Sequence, residues 1–204
     1  MTKKAVAQDG GLFASQPQHV SVGIDASYSG FAICAMGVEE YAPYYAWLFK
    51  SKLTGPDRLN DIREFVVEVL AQIEETHTVW EIGIEGYAFG SQNGREIAGE
   101  LAGMVKLIIW DQYQEENRRY PTIIPPTSLK KFITGSGAAK KEQLLLQTYK
   151  KYQIEFNDNN LCDAYGISRM IRALDSDQES LLVYERDALN SLTRMSECPK
   201  KLLK

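Results

Sequence analysis

"VSVGIDASYSGFAIC", residues 20–34, decides the fold. It runs apolar to a single carboxylate at Asp25, passes through small residues and resumes an apolar run at Phe31. Such a pattern reads as a buried strand, a turn and a second strand. Asp25 at the strand tip is either a turn residue that happens to be acidic or a metal ligand on a rigid strand end. "VWEIGIEGYAFG" (79–90) repeats the arrangement, a buried strand that reaches a carboxylate at Glu85.

The intervening and following segments set the order of elements. "GFAICAMG" (30–37) and "YYAWLFKS" (44–51) extend the first strand into an antiparallel meander. "GPDRLNDIREFVVEVLAQIEETH" (55–77) switches to helical period, with Leu59, Ile62, Phe65, Val66, Val69, Leu70 and Ile73 on one face and Asp57 as its cap. A long helix over 93–114 and a short strand in "PTIIPP" (121–126) come next. Helices over 127–133, 138–151 and 157–174 follow, with Asp158 or Asn159 near the start of the last. The fold class is α/β, a mixed five-stranded sheet flanked by helices on both faces. Residues 1–19 read as a flexible leader, 20–174 as the domain, and 175–204 as a C-terminal helix and basic tail. If the two acid-tipped strands lie side by side, Asp25 and Glu85 meet.

At 204 residues, 44% apolar and 25% charged, the chain suits one soluble domain with a core of its own. No run is long enough for a membrane span, and the first twenty residues lack the apolar segment of a secretory signal. Cys34, Cys162 and Cys198 have no ligand spacing and read as reduced thiols of a cytoplasmic protein. His19 and His77 complete no zinc site, and His77 reads as structural. Net charge is −4, yet Arg118, Arg119, Lys130, Lys131, Lys140, Lys141, Lys150 and Lys151 face only Glu142 within residues 118–151. This stripe is either a solvated face or a surface that neutralises phosphates. Gly135 and Gly137 lack P-loop spacing, and no GK[ST] occurs, so no nucleotide cofactor is expected.

Two carboxylates side by side repel unless a proton or cation lies between them, and Mg²⁺ suits an oxygen-only site. Asp163, in "LCDAYG" within the last long helix, is the candidate third acid. "GIDASYSGFAIC", "IGIEGYAFGSQNG…GELAGMVK", "PPTSLKKFITGSGAAKKEQ" and "DNNLCDAYG", in that order, resemble the motifs of RuvC-type Holliday junction resolvases, in particular the phage-borne branch. The resemblance spans residues 20–172 and implies a ribonuclease H-like fold. It also implies a crossover junction endodeoxyribonuclease that binds two Mg²⁺ ions, with Mn²⁺ able to substitute.

Asp25, Glu85 and Asp163 fall on the family's acids. The family commonly has an acid or histidine three residues before the last of these, where this chain has Asn160. The fourth ligand is then Asn160, an uncharged oxygen donor, or Asp158. The resemblance further implies that Lys130 and Lys141 lie near the scissile phosphate, and Lys131 and Lys140 are assigned to the backbone of a DNA arm. Arg118 and Arg119 extend the DNA-binding stripe. Tyr87 and Phe89, in "GYAFGSQNG" (86–94), either stack on unpaired bases at the junction centre, Phe89 as the wedge, or anchor their loop to the core. Ala98, Gly99, Ala102 and Gly103 form a small-residue patch that seats the helix on its sheet or makes the interface of a homodimer.

The implied partners are branched DNA and a second copy, and the implied place is recombination and repair in the cytoplasm, that of the host if the chain is phage-encoded. A broader flap or fork nuclease, and a junction-binding protein with a weakened site, are the competing readings.

Overall fold

Val20, Val22 and Ile24 alternate with Ser21, Gly23 and Asp25, so the first half of the decisive stretch is a strand with one apolar face and one of small or polar residues. The computed structural model describes residues 2–7, 18–38, 43–86, 95–113, 120–175 and 180–192. In chain order the strands are β1 (Thr2–Ala7), β2 (Gln18–Asp25), β3 (Phe31–Gly37), β4 (Tyr44–Lys50), β5 (His77–Glu85) and β6 (Thr122–Ile124). The helices are α1 (Gly55–Glu74), α2 (Arg95–Gln112), α3 (Pro126–Thr134), α4 (Lys141–Tyr152), α5 (Asn159–Asp175) and α6 (Val183–Asn190).

The expected mixed sheet of five strands is present in the order β4-β3-β2-β5-β6. β2, β3 and β4 form the antiparallel meander, and α1 carries the chain across to β5, which runs parallel to β2. β1 adds a sixth strand, antiparallel to β4 at the edge. Residues 1–19, expected as a leader, therefore contribute an edge strand and the first residues of β2. At the start of α1 the sequence reading needs correction. The helix begins at Gly55 after Thr54, neither of which supplies a side-chain cap, and Asp57 lies inside the first turn. Its charge there complements the exposed N–H groups rather than capping one of them.

Val22, Ile24, Phe31, Ile33, Ile82 and Ile84 face α1 and α2, where they meet Ile62, Phe65, Val66, Leu101, Val105 and Ile109. The opposite face, with Ala32, Cys34, Met36 and Ala46, is covered by Leu161, Ala164 and Tyr165 of α5. α6 packs on α3, joined to it by Lys131 with Asp187 at 3.1 Å and by the Ser128 and Ser191 hydroxyls at 2.9 Å. Glu185 of α6 pairs with Lys151 of α4, whose ammonium also lies by the rings of Phe132, Tyr152 and Tyr184.

Two glycines set how closely α5 approaches. Gly23 and Gly83 are partners in the parallel register of β2 and β5. A Cβ on Gly23 would stand 2.2 Å from the Ala164 carbonyl oxygen and 2.4 Å from the Ser168 nitrogen. A Cβ on Gly83 would stand 2.6 Å from Cγ1 of Ile171. Backbone cannot yield as a side-chain tip can, so the first position is the stricter.

Gly23→Ala should therefore cost more than the roughly 1–3 kcal/mol typical of overpacking, and Gly83→Ala should fall within that range. Gly99→Ala, whose Cβ would meet nothing within 4 Å, should stabilise α2 by about 0.5–1 kcal/mol. Urea unfolding of the three variants checks the ranking, and a Gly23→Ala protein as stable as the parent would contradict this packing.

Candidate active site

Strand alternation places Asp25 two residues beyond Gly23 and Glu85 two beyond Gly83, on the face that α5 covers. Asp163 immediately precedes Ala164, the residue that abuts Gly23. The glycine pair thus brings the third acid over the tips of the two strands. Asp25 is 2% exposed, and its Oδ1 has no hydrogen-bond partner. Burial, then the charges of Glu85 and Asp163, push its carboxyl well above the ordinary range, while Lys141 opposes them. Burial also raises Glu85, against a hydrogen bond from Asp25 and the charges of Lys141 and Lys130. Asp25 and Glu85 are thus joined by a hydrogen bond, with both carboxyls held above their ordinary range. Asp163 is pushed up to about 7 by burial and by Glu85, again opposed by Lys141 and Lys130.

The two lysines singled out from the sequence thus face the acids. Lys141 is the first residue of α4, and Lys130 lies in α3. Between them Gly135 ends α3 with φ +83°, a left-handed conformation that favours glycine, and the backbone N–H of Lys140 donates to Gln143 Oε1 at 2.8 Å. Lys131 instead reaches Asp187, and Lys140 is exposed just before α4. Tyr87, Phe89, Arg118 and Arg119 lie outside the described residues.

Asp158 and Asn160 have distinct positions. The Asp158 carbonyl accepts the Cys162 N–H at 3.2 Å, and its Oδ1 accepts the Asn160 N–H at 2.9 Å, which makes it the cap of α5. Its Oδ2 accepts Lys50 Nζ at 2.7 Å. Partial burial tends to raise its pKa, but the bonds from Lys50 and Asn160 outweigh this and lower it. Asn160 lies three residues before Asp163, on the same side of the helix. Its Nδ2 donates to Asp158 Oδ1 at 3.1 Å.

Arg58 and Lys50 were not singled out from the sequence. Arg58, 6% exposed, donates to the carbonyls of Ser51, Leu53 and Tyr28 and stacks on the Tyr28 ring, which ties down the loop after Asp25. Its spacing of four before Ile62, on the buried face of α1, was the available signal. Lys50 is the exposed last residue of β4, and nothing in its local sequence marks it. Cys34 and Cys162 are free and buried, with thiols pushed up to about 12 by burial, which suits packing rather than chemistry.

Among the described residues no three Asp, Glu, His or Cys side chains are gathered closely enough to enclose an ion. Mg²⁺ is nonetheless chemically suited to the donors present. Asp25 offers a buried oxygen without a partner beside Glu85, carboxylates are hard oxygen donors, and burial raises both carboxyls, a penalty that a cation between them would relieve.

No family model matches the chain, and no curated protein matches it significantly. Solved structures do. Thermus thermophilus RuvC is 21% identical with a TM-score of 0.55, covering 73% of this chain and 90% of that one. T. thermophilus RuvC in complex with a Holliday junction substrate is 22% identical with a TM-score of 0.58 and the same coverage. The fold is that of the RuvC resolvases. The yeast mitochondrial Holliday junction resolvase Ydc2 is 15% identical at a TM-score of 0.42, covering 86% of this chain and 87% of that one. Among the described residues no helix is long and apolar enough to cross a membrane.

The acids should make stability depend on pH in a defined direction. A carboxyl raised in the fold binds its proton more tightly there than in the unfolded chain. Stability is therefore full below the unfolded value of roughly 4. For Asp163 it is lost as the pH rises through about 7. In metal-free buffer Asp163→Asn should flatten this fall and melt higher than the parent at pH 8, with little difference at pH 4. Thermal unfolding at the two pH values reads the contrast.

Proposed function

We propose that this protein is a Mg²⁺-dependent endonuclease that resolves four-way DNA junctions by paired, symmetric nicks. The observation that supports it is the convergence of Asp25, Glu85 and Asp163 beneath Lys130 and Lys141, within a fold shared with T. thermophilus RuvC. Asp25, Glu85, Asp163 and the Asn160 amide oxygen would hold two Mg²⁺ ions, with Mn²⁺ a substitute. Bound Mg²⁺ polarises a phosphate and makes water a better nucleophile. In the net reaction a water oxygen bonds to phosphorus and the bond to the 3′ oxygen breaks, leaving a 5′ phosphate and a 3′ hydroxyl. The ammonium groups of Lys130 and Lys141 offset the charge that gathers on the phosphate and the departing oxygen.

Lys140, exposed ahead of α4, contacts the backbone of a DNA arm, and Lys131 joins it by exchanging Asp187 for a phosphate. Arg118 and Arg119 extend this surface, and Phe89 with Tyr87 meets unpaired bases at the branch point. Two opposed strands require two sites, which a two-fold homodimer supplies. The face of α2 with Gly99 and Gly103 open to solvent and Leu107 64% exposed is the surface for it.

Cleavage of synthetic junction, fork, flap and RNA–DNA hybrid with Mg²⁺ or Mn²⁺ tests this reading. Symmetric junction nicks are expected. Preference for flaps or forks would make it a broader branched-DNA nuclease, and junction binding without cleavage would make it a scaffold. Asp25→Asn, Glu85→Gln and Asp163→Asn should each abolish cutting while junction affinity stays within a few-fold.

The lysines should divide. Lys130→Ala and Lys141→Ala should slow the rate at saturating DNA. Lys140→Ala should instead flatten the dependence of log K on log salt by about 0.9 per lost phosphate contact. An unchanged salt slope and parental rates in all three would reduce the stripe to a solvated face.

A further inference from the structure

The position three residues before Asp163 holds an amide, whose two ends are nearly the same shape and opposite in chemistry. Its oxygen can accept a cation, whereas its NH₂ can only repel one. A site that uses Asn160 therefore needs something to choose which end is presented.

The structure contains such a device. Asp158 Oδ1 accepts both the backbone N–H of Asn160 at 2.9 Å and its Nδ2 at 3.1 Å, so the nitrogen end is held. The side chain also lies against the loop after β2, where a Cβ on Gly30 would stand 2.5 Å from Nδ2. Asp158 is held in turn from its other oxygen, where Lys50 Nζ donates to Oδ2 at 2.7 Å from the end of β4. We propose that Lys50 is a positioning residue that, through Asp158, keeps the Asn160 amide oxygen turned toward the acids. The ammonium also offsets part of the charge that Asp158 brings near Asp163.

This inference rests on the reading of Asp25, Glu85, Asp163 and Asn160 as a metal site. Lys50 is itself exposed, and such ion pairs contribute little to folding. Its removal therefore separates orientation from stability.

The test is Mn²⁺ binding to the DNA-free protein by isothermal titration, with urea unfolding alongside. Lys50→Met should weaken Mn²⁺ binding roughly 10–100-fold, as loss of a partner that orients a ligand commonly does, with an unchanged urea midpoint. Lys50→Arg should restore most of the affinity. In an Asn160→Ala background Lys50→Met should have no further effect. Parental Mn²⁺ affinity in Lys50→Met, an equal loss in the Asn160→Ala background, or a parent that binds no Mn²⁺ would each overturn the proposal. Junction cleavage by the parent is measured in parallel. A parent that binds Mn²⁺ yet leaves branched DNA intact defeats the nuclease reading alone, and the binding series still decides the role of Lys50.

Discussion

The contact between α5 and the paired glycines Gly23 and Gly83 is the constraint on which the rest depends. Any side chain at either position would hold the helix away from the sheet. Because strand residues alternate, the same face that is bare at the glycines carries Asp25 and Glu85 one step further on. Core packing and the chemical site are therefore a single arrangement. The helix that seals the sheet is also the one that delivers Asp163.

That arrangement is electrostatically expensive, and the protein offsets the cost in three ways. Asp25 and Glu85 share a hydrogen bond, Lys130 and Lys141 approach from α3 and α4, and the position three residues before Asp163 is a neutral asparagine rather than another acid. The lysines are held from behind. α3 is strapped to α6 by the Lys131–Asp187 pair and the two serine hydroxyls, and α4 is anchored through Lys151 and Glu185. Supports remote from the acids thus set the field in which they titrate.

Much of this was legible in the sequence because it depends on local pattern. The period-two runs that stop at Asp25 and Glu85 announced two strands with carboxylates at their tips, and the parallel pairing brought the two together. Period 3.6 marked α1, and the basic pairs flagged the segments that present Lys130 and Lys141. Other features were hidden because they are made by residues far apart in the chain. Lys50 meets Asp158 only after the sheet has folded, and a lysine at a strand end looks like any other. Arg58 could have been noticed as a cation on an apolar face, but its partners are backbone carbonyls, which no side-chain pattern reveals. The cap of α1 was misplaced because Asp57 suits the first turn as well as it suits a cap. The edge strand at Thr2–Ala7 escaped because its pairing with β4 is a long-range choice.

The order in which the site's parts occur along the chain has a consequence during synthesis. A ribosome releases Asp25 first, Glu85 after the α1 crossover, the lysines later still, and Asp163 last of all. An unfinished chain halted before α5 has two mutually repelling acids and an uncovered sheet face, with no third acid and no helix to seal it. The three acids therefore come together only with the packing of nearly the whole domain. A truncated product cannot assemble the three acids, so under the proposed nuclease reading the topology itself would keep a half-made protein from acting on DNA.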